Sequence, residues 1–488
     1  MRKFFAIVSA VVLAIVLSTL ALLIQNDVKL ADATPKIVYN VWRNLLPAKT
    51  IVIAPVKEDV KPVIAEPEPN LSYEDRMTKG RYYFDRGFLT FASNEFVKAA
   101  NLSPTSADPY LMLLRTNYEL GDYTKAMKNA EIVLDLEPNQ YDTRLELAKI
   151  NIKLSDFETA TSLIDQLPVQ SPPDARVDYY RGLLQVVNRT DDLARKSLKK
   201  ALLESEDDGL TEDTKTMLAA YTEFDFAQAA DALFLQELLA KGLNKVGEFE
   251  MSIHLLKGVL QERSDLRDAW ILFGFAYLNL EKYSFALTAF EKAYELDSEW
   301  PVTQYFLGLT HKELGNKSDA IVYFNYALSN QFEPKLVLYQ NLADLYLETQ
   351  DYEKAVAAYE EILHINDDDI NAFVRPIWIY LDFLHRPKEA VRVAEVANAL
   401  FPESAMSFNL LGWSQIGTGE ELLAEQNLKK AMELDPNLPA PYLNLGTLYE
   451  EQKKFEVALQ MYQKAYELDQ NGSIGTTAAQ KYNDLLAK

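Results

Sequence analysis

Arg81, Arg115 and Lys149 follow one another at intervals of 34 residues, and Lys241 takes the equivalent place in a later repeat of the same pattern. The chain has 488 residues with 49 Lys+Arg against 72 Asp+Glu, a formal charge of −23. Cations at one fixed spacing in so acidic a chain would attract carboxylates through charge-assisted hydrogen bonds, which is recognition chemistry. Glu74, Asp108 and Asp142 stand seven residues ahead of the three cations. The alternative is therefore that Arg81, Arg115 and Lys149 neutralise carboxylates of their own chain.

Motifs for catalysis are missing. There is no cysteine, which excludes disulfides, thiolate metal sites and cysteine nucleophiles. His254, His311, His364 and His385 are scattered without the spacing of a metal pair. Gly417-Thr418-Gly419 lacks the further glycine or lysine of a nucleotide loop, and no strand precedes it. The many carboxylates of an acidic helical chain read as solvated faces. The expectation is a non-enzymatic protein with no cofactor and no metal, and an acidic surface that repels nucleic acid.

The elements that must carry these residues are repeats. From residue 73 the chain aligns with itself in units that begin at 73, 107, 141, 175, 233, 267, 301, 336, 371, 405 and 439. The twentieth place is alanine in every unit except one, where Ser252 stands, and the eighth is most often glycine or alanine. Each unit holds two stretches with apolar residues at i, i+3, i+4 and i+7, separated by a break such as Gly121-Asp122 or Gly315-Asn316. That pattern predicts a helical hairpin, with small residues where the backbones cross. One hairpin cannot bury its own apolar faces, so the hairpins must stack.

The unit at 267–300 carries Trp270, Phe273, Gly274, Tyr277, Ala286 and Phe290, the W-x2-L-G-x2-Y…A-x3-F pattern, and with its 34-residue period it resembles the tetratricopeptide repeat family. The resemblance covers residues 73–472. It implies an all-α, right-handed superhelical solenoid of about eleven hairpins that serves as a protein-interaction scaffold. It also implies a concave surface lined by the second, fifth, ninth and twelfth places of each first helix. Arg81, Arg115 and Lys149 then form an inner cationic line for an acidic segment of a partner. Ile271, Phe275, Tyr305, Leu309 and Trp413 form an apolar groove for a second segment, unless a tighter superhelix covers them. Asn341 and Asn444 sit at inner places where some relatives hold peptide backbone. The family's carboxylate clamp, a lysine at the fifth place with an asparagine at the ninth, is not reproduced by Met77/Arg81, Leu111/Arg115 or Leu145/Lys149. Leu114 and Trp378 depart from the small eighth place, single-residue slips precede the units at 336 and 371, and a distorted superhelix is expected near Trp378 and Pro376.

The remaining segments frame the array. Residues 4–24 are uncharged and long enough, at about 31 Å as a helix, to cross a bilayer. Arg2 and Lys3 precede them, which places the N-terminus in the cytoplasm and the rest on the exported side. A cleaved signal ending near Ala31-Asp32-Ala33 is the alternative. The expected organisation is an anchor at 1–25, a Pro-rich linker at 26–72, four repeats at 73–208, an acidic and helical interruption at 209–232, seven repeats at 233–472 and a capping helix at 473–488. In that cap Tyr482, Leu485 and Leu486 should face inward. The interruption would be either a hinge or a rigid bridging helix. The predicted role is a membrane-anchored scaffold for assembly of an envelope or secretion complex. A regulatory or substrate-presenting subunit of a membrane protease or glycosyltransferase, or an organelle import receptor, is the alternative.

Overall fold

The computed structural model describes residues 71–168, 172–227 and 231–487, and the expectations for the anchor and almost all of the linker lie outside them. Among the described residues the chain forms 24 α-helices and no strand, and none of these helices is long and apolar enough to cross a membrane. Two compact units divide between Ser298 and Glu299.

The first unit opens with four hairpins: α1 (Tyr73–Asp85) with α2 (Leu89–Leu102), α3 (Asp108–Glu119) with α4 (Tyr123–Leu136), α5 (Tyr141–Lys153) with α6 (Phe157–Asp165), and α7 (Ala175–Val187) with α8 (Asp191–Glu204). A single helix, α9 (Asp208–Phe226), intervenes before α10 (Ala232–Lys245) with α11 (Phe249–Glu262) and α12 (Arg267–Asn279) with α13 (Tyr283–Leu296). The second unit pairs α14 (Pro301–Glu313) with α15 (Lys317–Ser329) and α16 (Lys335–Glu348) with α17 (Tyr352–Ile365). Its third hairpin opens with a 3-10 turn (Ile370–Phe373), the short α18 (Val374–Trp378) and a π-helical turn (Ile379–Phe383), before α19 (Pro387–Leu400). Then come α20 (Ala405–Thr418) with α21 (Glu421–Leu434), α22 (Pro439–Glu451) with α23 (Phe455–Leu468), and the terminal α24 (Ser473–Leu486).

The hairpin turn follows one rule. The fifteenth place of every unit takes left-handed backbone, as glycine at Gly87, Gly121, Gly247, Gly315 and Gly419 and as Ser155, Arg189, Glu281, Gln350, His385 and Lys453 elsewhere. In the second hairpin Gly121 N–H donates to Tyr118 at 3.0 Å and Asp122 N–H to Asn117 at 2.9 Å, the paired bonds of a Schellman ending. Asp122 then caps α4 by accepting from the Lys125 N–H. Gly419 is thus a hairpin turn, and the Gly-Thr-Gly sequence has a structural reason.

The crossing of the two helices follows a second rule, between places eight and twenty-four. A Cβ added to Gly274 would stand 2.7 Å from the Phe290 ring, one on Gly308 2.6 Å from Phe324, and one on Gly446 2.6 Å from Tyr462. Where place eight is Leu114, place twenty-four is Ala130, and both are fully buried in one cluster. Large and small have exchanged helices, which conserves volume at the crossing. In the unit with Trp378 at place eight, place twenty-four is again alanine, Ala394. The helix of Trp378 is broken into the short α18 and the π-helical turn, and the half-buried indole stands edge-on to Phe383 at 4.9 Å with the Arg375 guanidinium over it at 5.6 Å.

The interruption is a continuous helix packed against both α8 and α10. It starts at Asp208 because Asp207 caps it by accepting from Leu210 N–H at 2.8 Å, and acids favour a helix N-terminus. This continuity carries the first unit two hairpins beyond the interruption. At the far end, α24 buries Leu485 with Tyr482 against the last hairpin, whereas Leu486 is 59% exposed, so only two of the three expected contacts form.

Candidate functional site

Arg81 on α1 and Arg115 on α3 are exposed, and among the described residues neither has a carboxylate within ion-pair distance. Glu74 and Asp108, the acids expected to neutralise them, are exposed and form no ion pair with them. Asp142 pairs with Arg176 at 2.9 Å rather than with Lys149. Lys149 finds Glu146 at 2.9 Å, one helical turn back, and lies 5.3 Å from the centre of the Tyr118 ring. The three predicted cations therefore divide into two that are open and one that is internally matched.

One turn beyond Lys149 the matching becomes deeper. Lys153, at the end of α5, reaches across 95 residues to Glu248 at 2.5 Å, with Glu250 at 3.4 Å and the Gly247 carbonyl at 3.3 Å. All three charged side chains are at most 11% exposed. Burial alone would lower the proton affinity of Lys153, but Glu248 and Glu250 raise it above the ordinary lysine range. This latch fastens the turn of the fifth hairpin to the third. Phe157 against the His254 ring at 5.0 Å and Arg189 on Glu262 at 2.9 Å extend the contact.

The wedge helix α9 brings Asp213 into the same neighbourhood. Burial first, then the charge of Glu248, pushes the Asp213 carboxyl up to about 7. Tyr179 and Tyr180 on α7 are held well above the ordinary tyrosine range, mainly by burial, with Asp213 and Glu248 adding to it. None of Lys153, Glu248, Glu250 or Asp213 was singled out by sequence. Only Lys153 carried a signal, its place four residues after Lys149 on the same helical face.

The predicted apolar line is largely core. Ile271 and Phe275 in the first unit are 4% exposed, and the Phe249 ring stands 6.3 Å from that of Phe275. Tyr305 in the second unit is 1% exposed and stacks on Phe332 at 4.5 Å. These three are corrected from groove residues to packing residues, because neighbouring segments of their own units cover them. Leu309 and Trp413 are half-buried. Asn341 accepts from Lys312 at 2.7 Å and Asn444 donates to Asn409 at 2.9 Å, so both are engaged within the second unit. Among the described residues no group of three His, Asp or Glu is placed to hold a metal.

Known proteins match this chain as follows. Two family models, both described as tetratricopeptide repeat, match residues 117–184 and residues 268–299, 336–369 and 440–471. A curated relative from Bos taurus, BBSome complex member BBS4, is 24% identical over 285 residues, 56% of this chain and 54% of that protein. The chain thus spans about half the length of that relative. Among solved structures, yeast Tom70 is 15% identical, with 85% of this chain and 96% of that one covered and a TM-score of 0.29. YrrB, titled a TPR protein with an unusual peptide-binding site, is 19% identical over 46% of this chain and 97% of its own, with a TM-score of 0.27. The family matches at 268–299, 336–369 and 440–471 coincide with hairpins α12–α13, α16–α17 and α22–α23. With the 34-residue register, the recurrent turn and these matches in agreement, the chain carries tetratricopeptide repeats in both of its compact units.

Proposed function

We propose that this chain is a protein-interaction scaffold whose first two hairpins hold an acidic segment of a protein partner through Arg81 and Arg115. The carrying observation is that these two cations stay exposed and unmatched in a chain of charge −23, while Lys149 and Lys153 are met by Glu146, Glu248 and Glu250. An acidic segment gains charge-assisted bonds there without displacing an internal pair. Residues 4–24 tether the scaffold to a membrane with the repeats on the exported side, in the assembly of an envelope or secretion complex.

The test is affinity capture from solubilised membranes with the full chain, beside Arg81→Glu/Arg115→Glu. A partner captured by the parent and lost by the variant, with the helical circular dichroism kept, supports the reading. Equal capture by both removes the two arginines from the site. Because the chain lacks cysteine, a single Ser205→Cys also reports sidedness: labelling by an impermeant maleimide in intact cells is expected, and labelling only after lysis would overturn the exported orientation.

A further inference from the structure

We propose that Lys241 and Lys245 on α10 form a second carboxylate-holding station for the same partner, so that its recognition motif consists of two acidic stretches separated by an uncharged one. The proposal rests on the reading of Arg81 and Arg115 as partner contacts. Lys241 and Lys245 are four residues apart, and side chains at that spacing project from one helical face. Both are half-buried. Among the described residues neither has a carboxylate within ion-pair distance.

The surroundings sharpen the case. Between the two lysines, Gly242 lies against α9, where an added Cβ would stand 3.1 Å from Met217 Sδ. The helix that carries both lysines is thus packed closely on α9. Burial, with Lys241 second, lowers the Lys245 ammonium to about 8, and Glu223 of α9 offsets this only in part. Two like charges held together in a partly dehydrated place are costly to each other, and an incoming carboxylate relieves both the desolvation and the repulsion. Lys153 shows what the same unit supplies when it completes such a place: two glutamates. At Lys241 and Lys245 no glutamate stands within ion-pair distance, and Glu223 acts only from further away. Long polyanions such as nucleic acid are disfavoured by the acidic remainder of the chain, which leaves short clusters of Asp or Glu as the fitting occupant.

Between the two stations Lys153 is buried in the latch and Lys149 is already matched by Glu146, so neither offers the middle of the bound segment a free charge. Hence the bipartite motif.

The experiment uses the full chain in detergent and a synthetic peptide with two Glu-Asp-Glu blocks joined by a Gly-Ser spacer. Brief amine acylation at pH 8, read by mass spectrometry, should modify Lys245 faster than the exposed Lys388 without peptide, and the peptide should protect Lys245 but not Lys388. Lys241→Gln/Lys245→Gln should weaken the peptide about tenfold, the worth of ~1.4 kcal/mol. Unchanged affinity, or no protection of Lys245, overturns the second station. If Arg81→Gln/Arg115→Gln weakens the peptide while the lysine variant does not, the first station stands and this inference alone falls. If only the lysine variant weakens it, the Arg81–Arg115 reading falls and the bipartite motif falls with it. Inorganic phosphate at the same charge concentration protecting Lys245 equally well would overturn the acidic-segment occupant. Should the lysine variant fail to fold, protection in the unmodified chain still decides.

Discussion

In the first unit Lys153 joins residues 95 positions apart, whereas the inner polar bonds of the second unit run between adjacent hairpins: Lys312 to Asn341 over 29 positions and Asn444 to Asn409 over 35. Arg386 and Glu353, 33 apart, repeat the short pattern at 2.6 Å. The second unit thus keeps the nearest-neighbour economy expected of stacked repeats, in which each hairpin depends on the next. The first unit keeps neighbour bonds such as Arg176 to Asp142 but departs from the pattern at the latch, where the fifth hairpin, following the single helix α9, reaches back to the third. Non-adjacent hairpins then share one buried charge cluster. Loss of that cluster should be felt by several hairpins at once, while a comparable loss in the second unit should stay local.

Lys153→Met is the largest test of that difference. It leaves Glu248 and Glu250 as uncompensated buried carboxylates, which costs about 3–5 kcal/mol when a buried pair is broken from one side. Hydrogen exchange should accelerate together in α5, α9, α10 and α11, and α20 to α24 should keep their rates. Lys312→Met in the second unit removes a bond to a neutral amide and should cost about 1 kcal/mol, with faster exchange only in α14 and α16. If Lys153→Met changes α5 alone, the latch is no cooperative element and the contrast disappears.

A middle-sized effect asks whether the hairpin crossing is governed alike in both units. Gly308→Ala would place a Cβ 2.6 Å from the Phe324 ring, and overpacking of this kind costs about 1–3 kcal/mol. Hairpin two inverts the pair, so Ala130→Phe should be the equivalent injury there, and Leu114→Gly should restore part of the loss. Denaturant unfolding of the four chains of that cycle should give a favourable coupling of about 0.5–3 kcal/mol. Additive losses would mean that Leu114 and Ala130 do not share a crossing.

How much of this was readable beforehand depends on the range of the interaction. The eleven hairpins and the small residues at their crossings follow from patterns inside one 34-residue period. The same period places Arg81 and Arg115, and it singles out Gly419 as a turn. It cannot report contacts that skip repeats. Glu248 and Glu250 look like ordinary surface acids at a hairpin turn until α9 has folded, and Asp213 looks like part of an exposed acidic run. Ile271, Phe275 and Tyr305 fail for a related reason: the places assigned to an inner groove are surface only where the neighbouring helices stand apart. In the first unit the Phe249 ring closes on Phe275, and in the second Phe332 closes on Tyr305.

The smallest test lies in the titration of Asp213, and it follows from the latch. Burial and the charge of Glu248 raise this carboxyl from the usual 3.8 to about 7 in the folded chain. Between those values the folded state binds more protons than the unfolded one, so stability is full at the acid end and falls as pH rises through the window. Asp213→Asn should flatten that slope for exchange in α9 and α10 and leave the chain more stable at pH 8, by on the order of 1 kcal/mol after solvent screening. Glu237, pushed up to about 7 by burial with Asp268 and Asp231 adding to it, has the same sign and leaves a residual slope in the first unit. Asp344 in the second unit is also raised, mainly by burial, so the comparison must be read segment by segment. Combining Asp213→Asn with Lys153→Met makes the reading sharper. Without Lys153 the Glu248 charge is uncompensated and repels Asp213 more strongly, so the benefit of Asp213→Asn should grow in the double variant. Equal benefit in both backgrounds would mean that Asp213 responds to burial alone, and that the wedge helix and the latch are separate features of the first unit.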